Sequence, residues 1–147
     1  GSVKLYLSPI LDMFNGEIIS YNISRSPNME QVYDMLDKAF AKFDRLEGLI
    51  LHSDQGWQYQ HLGYRKRLAE HHIIQSMSRK GNCLDNAMAE NFFGIMKSEL
   101  LYAEVFESPE TFIRALEEYI EYYNNKRIKS RLKGKSPVQY RTLSING

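Results

Sequence analysis

The stretch Leu49-Ile50-Leu51-His52-Ser53-Asp54-Gln55-Gly56 is a short apolar run that stops abruptly at a carboxylate and a glycine. A run this short, following Gly48, reads as a buried strand of a mixed sheet rather than a helix. Ser53-Asp54-Gln55-Gly56 reads as the loop that ends it. A carboxylate directly after a buried strand is aimed by a rigid element, which makes Asp54 the first candidate for chemistry.

Upstream, residues 3–23 read as a hairpin. Val3-Lys4-Leu5-Tyr6-Leu7 is β-rich, Asn15-Gly16 supplies the turn, and Glu17 to Ile23 returns. Ser26-Pro27-Asn28 breaks the strand. Val32, Met35, Leu36, Ala39, Phe40 and Phe43 then recur at three-and-four spacing and predict a helix to about Phe43. Downstream, the pattern predicts a helix over Tyr59–Glu70, a strand over Ile73–Met77 and a polar loop at Ser78–Asn82. A long helix opens near Asp85, whose carboxylate suits its cap. Ser108-Pro109-Glu110 combines an N-cap, a first-turn proline and an acid, and starts a last long helix ending at Asn124-Asn125. Ser136–Tyr140 suggests a short closing helix. Strands followed by helices that cover a mixed sheet place the chain in the α/β class.

Bulk properties narrow the function. The 147 residues fit one domain, 43% hydrophobic and 25% charged. The single cysteine, Cys83, builds neither a disulfide nor a multi-cysteine zinc site, so a reducing, cytoplasmic setting is expected. No apolar run approaches the roughly 18 residues of a membrane span. Gly1-Ser2 reads as a cloning remnant. The net charge of +1 hides an uneven distribution: Glu104–Glu121 holds six acids and one base, whereas Lys126–Lys135 holds six bases and no acid. Such a basic stripe is what a phosphate backbone feels.

Asp54 finds a second carboxylate in Glu90, expected in the first turns of the helix opened by Asp85, with thirty-five residues between them. Two carboxylates on separate rigid elements can hold divalent metals roughly 3.5–4 Å apart for in-line phosphoryl transfer, and magnesium suits carboxylate ligands. Spacing alone does not distinguish this pair among 18 acids.

The surrounding residues do. His52-Ser53-Asp54-Gln55-Gly56, the run Ser76 to Ala87, Ala89-Glu90-Asn91-Phe92-Phe93 with Lys97, Tyr122-Tyr123-Asn124-Asn125-Lys126-Arg127, and Ser136-Pro137-Val138-Gln139-Tyr140 resemble the integrase-like insertion-sequence transposases of the retroviral integrase superfamily. The opening Leu5 to Asp12 matches as well. The resemblance implies a ribonuclease-H-like mixed sheet flanked by helices and an Asp–Asp–Glu metal triad, with Asp54 as the second Asp and Glu90 as the Glu. It implies DNA transposition by metal-dependent phosphodiester cleavage and strand transfer. Magnesium or manganese is the cofactor, two ions in the complete enzyme. DNA and further copies of the chain are the partners, in a bacterial nucleoid.

The family's first Asp lies on a strand preceding the hairpin, absent from this sequence. The expectation is therefore a sheet lacking its first strand, with a gap or an unpaired edge, weak metal binding, and no strand joining by these residues alone. Asp12 reads as a turn aspartate, not as a replacement. The division expected is a core over 3–125 and a basic tail over 126–147.

Further candidates surround the site. Lys97, two helical turns after Glu90, is either a phosphate ligand or a solvated lysine. Arg79 and Lys80 in a loop, and Lys126, Arg127, Lys129 and Arg131 in the tail, read as sequence-independent phosphate contacts. Asn91 is read as an exposed helix residue, His52 as a buried strand histidine, and Trp57 and Tyr59 as core aromatics. Two alternatives to the transposase remain: a non-catalytic DNA-binding and self-associating piece, and a ribonuclease-H-like nuclease that cleaves without joining.

Overall fold

Strand β1 (Tyr6–Asp12) and strand β2 (Ile18–Ser24) form the antiparallel hairpin read from the sequence, turning through Gly16 at φ 79°. The computed structural model describes residues 5–26, 28–78, 87–101, 106–127 and 142–145. Between Ile10 and Leu11 the register slips: Ile10 pairs with Ser20 and Leu11 with Ile18. The extra residue on β2 is a bulge, which strengthens the local twist.

Helix α1 (Met29–Phe40) begins where Asn28 accepts the Gln31 amide at 3.1 Å, one of the unpaired donors of a first turn. It ends before Phe43, because the amides of Lys42 and Phe43 bond three residues back and tighten the last turn. Phe43 nevertheless packs against the core. Strand β3 (Ile50–Ser53) follows, then two short helices where one was expected: α2 (Trp57–Gln60) and α3 (Leu62–Glu70). The break is at His61, whose extended backbone lets its Nδ1 accept the Gly63 amide at 3.1 Å and cap α3. Strand β4 (Ile74–Met77) completes this half.

Helix α4 (Ala87–Met96) runs into a π-helical turn, Lys97–Leu101. Helix α5 (Pro109–Tyr122) runs into another, Tyr123–Arg127, which carries the chain beyond Asn125. Ser108 caps α5 by accepting the Thr111 amide at 3.2 Å. Asn124 then accepts from the Ile18 amide and donates to the Ile18 carbonyl, at 2.8 and 2.9 Å, so a side-chain amide stands where a neighbouring strand would be. This satisfies part of the outer edge of β2.

The expected gap in the sheet is not found. Strand β5 (Thr142–Ile145) lies between β1 and β3, antiparallel to the first and parallel to the second, giving the order β2-β1-β5-β3-β4. Residues from the stretch read as a basic tail thus form the sheet's middle strand. Both sheet faces are covered. Ile10 and Ile19 point to one core with α1 and α3, while their neighbours Leu11 and Ile18 point to the other with α4 and α5. Among the described residues, no helix is long and apolar enough to cross a membrane.

Candidate active site

Asp54 sits one residue beyond β3, at the carboxyl end shared by the parallel strands β5, β3 and β4. Its Oδ1 accepts the Gly56 amide at 2.7 Å, a two-residue turn closed by the side chain. A Cβ at position 56 would meet Asp54 Oδ1 at 2.9 Å and Gln58 Oε1 at 2.8 Å, so it would displace one of these side-chain ends. The loop is tied down further. Ser53 Oγ donates to the Asp54 carbonyl, Gln55 Nε2 to the Ser78 carbonyl at 3.1 Å, and Gln75 Nε2 to the Tyr59 carbonyl at 2.6 Å. Asp54 is partly exposed, and its Oδ1 is the oxygen held by the turn. Nearby, burial and then the Asp54 charge hold the Tyr59 hydroxyl far above its ordinary pKa, so Tyr59 stays neutral.

His52 lies on β3 as expected, partly buried, its Nδ1 2.8 Å from Ser76 Oγ on β4. Its Nε2 is buried without a hydrogen-bond partner among the described residues. Tyr59 is core, as read, but Trp57 is not: it is 54% exposed beside the Asp54 turn. The short helix α2 turns one aromatic inward and the other out, and adjacency to a strand could not tell them apart.

Glu90 lies in the first turn of α4 and is exposed. The opposite side of α4 is apolar, with Ala89, Phe92 and Met96 buried at three-and-four spacing. Glu90, Asn91, Gly94 and Ser98 line a shallow groove of about 400 Å³ to which Glu99 and Arg127 also contribute. Asn91 is exposed, and so is Lys97, which lies outside this groove. Asp54 is not part of the groove either. Among the described residues no group of three or more His, Cys, Asp or Glu side chains could hold a metal.

Asp12 is fully buried, and its Oδ1 accepts the Phe14 amide at 2.9 Å, closing the hairpin turn. It is level with Leu143 and, through that residue, with Leu51. Two strand spacings and three residue rises separate its backbone from that of Asp54, about 14 Å. That span is too long for two carboxylates to share one ion, which agrees with the turn reading.

Of the basic candidates, Lys126 is exposed in the π turn after α5, and Arg127 at its end is engaged. Its Nε and Nη2 both donate to Glu99 Oε1, at 3.1 and 2.8 Å, and Tyr119 donates to Glu99 Oε2 at 2.8 Å. The guanidinium's hydrogen bonds hold the Glu99 carboxyl below its usual range, while burial and the bond to Glu99 push the Tyr119 phenol well above its own. The sequence marks Tyr119 only as part of the buried face of the last helix, where it is found, and does not mark Glu99. Twenty and twenty-eight residues separate Glu99 from Tyr119 on α5 and from Arg127 in the following π turn. Arg79, Lys80, Asp85, Cys83, Lys129, Arg131 and Ser136–Tyr140 lie outside the described residues.

Comparison with known proteins shows the family. A family model described as an integrase core domain matches residues 1–83, and a second of the same description matches residues 90–145. The chain is 57% identical over 145 residues to an "Uncharacterized transposase-like protein" of Haemophilus influenzae, covering 97% of this chain and 66% of that protein. It is 55% identical over 138 residues to the "Putative transposase InsK for insertion sequence element IS150" of Escherichia coli strain K12, covering 94% of this chain and 49% of that one. It is 39% identical over 137 residues to the "Transposase for insertion sequence element IS904" of Lactococcus lactis, with 92% and 54% covered. The chain thus spans about half to two thirds of these relatives.

Proposed function

Because this chain belongs to the integrase-core family of insertion-sequence transposases, we propose that it carries part of a metal-dependent site for DNA cleavage and strand transfer, with Asp54 and Glu90 as metal-holding carboxylates. One observation supports this most: Asp54 stands just past the carboxyl ends of three parallel strands, where open α/β sheets receive their ligands. The sheet, with an antiparallel hairpin at one side and helices on both faces, is compatible with the ribonuclease-H-like arrangement.

The donors suit magnesium or manganese. Both are hard carboxylate oxygens, the Asp54 turn engages Oδ1, and Glu90 is exposed. A divalent ion supplies charge stabilisation at a phosphoryl oxygen. The chain's own contribution is to aim Asp54, through the Gly56 amide and the Gln55–Ser78 bond, and to present Glu90 on a helix packed against the sheet. DNA is the substrate, the ions number two in the complete enzyme, several copies assemble on the DNA ends, and the nucleoid is the place of action.

Manganese binding followed by water-proton relaxation tests the site. D54N and E90Q are each expected to weaken binding by on the order of tenfold; unchanged binding in both removes the proposed ligands. A gel that separates nicked from joined DNA distinguishes strand transfer from plain cleavage and from DNA binding without chemistry.

A further inference from the structure

We propose that Arg127 is a phosphate contact for DNA lying in the groove along α4, and that Glu99 and Tyr119 are the residues that position it. The proposal rests on the reading of the chain as a DNA-processing transposase and adds two residues to it. Glu99 and Tyr119 touch no ligand in this scheme; they act through Arg127.

The geometry of the guanidinium carries the case. Arginine presents five donors on a rigid plane. Nε and Nη2, on one edge, both go to Glu99 Oε1. Among the described residues no other group accepts from Arg127, so the end of the fork formed by Nη1 and the second Nη2 proton remains for a planar or tetrahedral anion. Tyr119, itself buried against Phe92 and Tyr123 in the α4–α5 core, fixes the other Glu99 oxygen. The carboxylate is thereby held from both sides.

A merely structural ion pair explains this poorly. Arg127 and Glu99 keep side-chain exposures of 30% and 35%, where an ion pair contributes little to stability. Each partner also lies in a π turn, Glu99 after α4 and Arg127 after α5, a helix form that is rare and recurs at functional sites. It borders the groove that Glu90 lines, where Asn91 and Ser98 are neutral and the face over Gly94 is open, with nothing within 4 Å of where a Cβ would stand. An oriented cation from the turn after α5 and the candidate metal ligand on α4 therefore border the same groove.

Fluorescence anisotropy with a labelled DNA duplex, titrated at several salt concentrations without divalent metal, tests this. R127A is expected to lower the slope of log K against log salt by about 0.9, one phosphate contact. R127K should keep the slope and lose affinity severalfold. Y119F leaves every charge in place and should weaken binding on the order of threefold at unchanged slope. E99Q removes an acid, which would tighten any purely electrostatic association, yet here it should weaken binding. Thermal melts confirm that each variant folds. A slope for R127A equal to wild type overturns the contact. Binding as tight as wild type, or tighter, in both Y119F and E99Q overturns the positioning role. Failure of the unaltered chain to bind duplex at all overturns the DNA reading itself, a distinct result.

Discussion

Asp54 and Glu99 show hydrogen bonds committing a carboxylate to one geometry, through one oxygen at Asp54 and through both at Glu99. At Asp54 the commitment is to the Gly56 amide, and the space that permits it is the missing Cβ of Gly56. G56A should therefore push against Asp54 Oδ1 and loosen manganese binding while leaving the melting temperature close to wild type, because the loop is partly exposed. A melt and a metal titration on the same sample check this, and unaltered metal affinity would count against a role for the turn in aiming Asp54. At Glu99 the commitment is to Arg127, whose hydrogen bonds lower the carboxyl's pKa. A group lowered in the folded state adds stability that is present above the ordinary carboxylate pKa and lost as pH falls through its lowered value. The wild type should thus lose more stability than E99Q when pH drops from neutral to below the ordinary glutamate range. Parallel denaturation curves at each pH measure it. The effect is small, since both partners are substantially exposed.

Helix starts and strand cores were legible at the level of elements because local chemistry dictates them. Asn28 and Ser108 cap as their residue types require, and replacing Ser108 with Ala should cost about 1 kcal/mol of stability, measured by urea denaturation. Leu51 on β3 was read as buried and is 0% exposed; L51A should cost about 2–5 kcal/mol through the cavity it leaves. What was not legible depends on partners far away in sequence or on a side chain choosing between roles. His61 splits one expected helix in two because its imidazole caps the second. The last helix passes Asn124 into a π turn because that side chain is drawn to Ile18 on β2. Trp57 points outward although it follows a buried strand. Of the candidate site, Asp54 and Glu90 could be picked out by their place at the ends of rigid elements and by the residues around them. The Glu99–Arg127–Tyr119 set could not, since no periodicity links three positions on separate turns.

At the scale of the molecule, the sheet is two pairs joined by one strand. β1 pairs with β2 and β3 with β4, and among the described residues the strand between the pairs is β5, a four-residue stretch near the far end of the chain. Sequence order gave no hint of this, because a strand that short, after a basic stretch, carries no period to detect. Its position decides whether β3, which contributes Leu51 to the core shared with Ile10 of β1, is tied to β1 through the sheet's backbone. Backbone groups of β1 and β3 facing β5 would otherwise lie unpaired at the centre of a covered sheet, where an unmet hydrogen bond costs about 1–3 kcal/mol. Removing residues 142–147 should therefore leave α1 and α5 helical but strip amide-exchange protection from Ile10 to Asp12 and from Ile50 to Ser53, together with a lower melting temperature. A synthetic peptide of residues 138–147 added in trans should restore that protection in proportion to its concentration, as mass action requires. If the shortened chain keeps wild-type protection along β3, then β5 does not join the halves, and the placement of Asp54 would have to come from β4 and the Gln55–Ser78 bond alone.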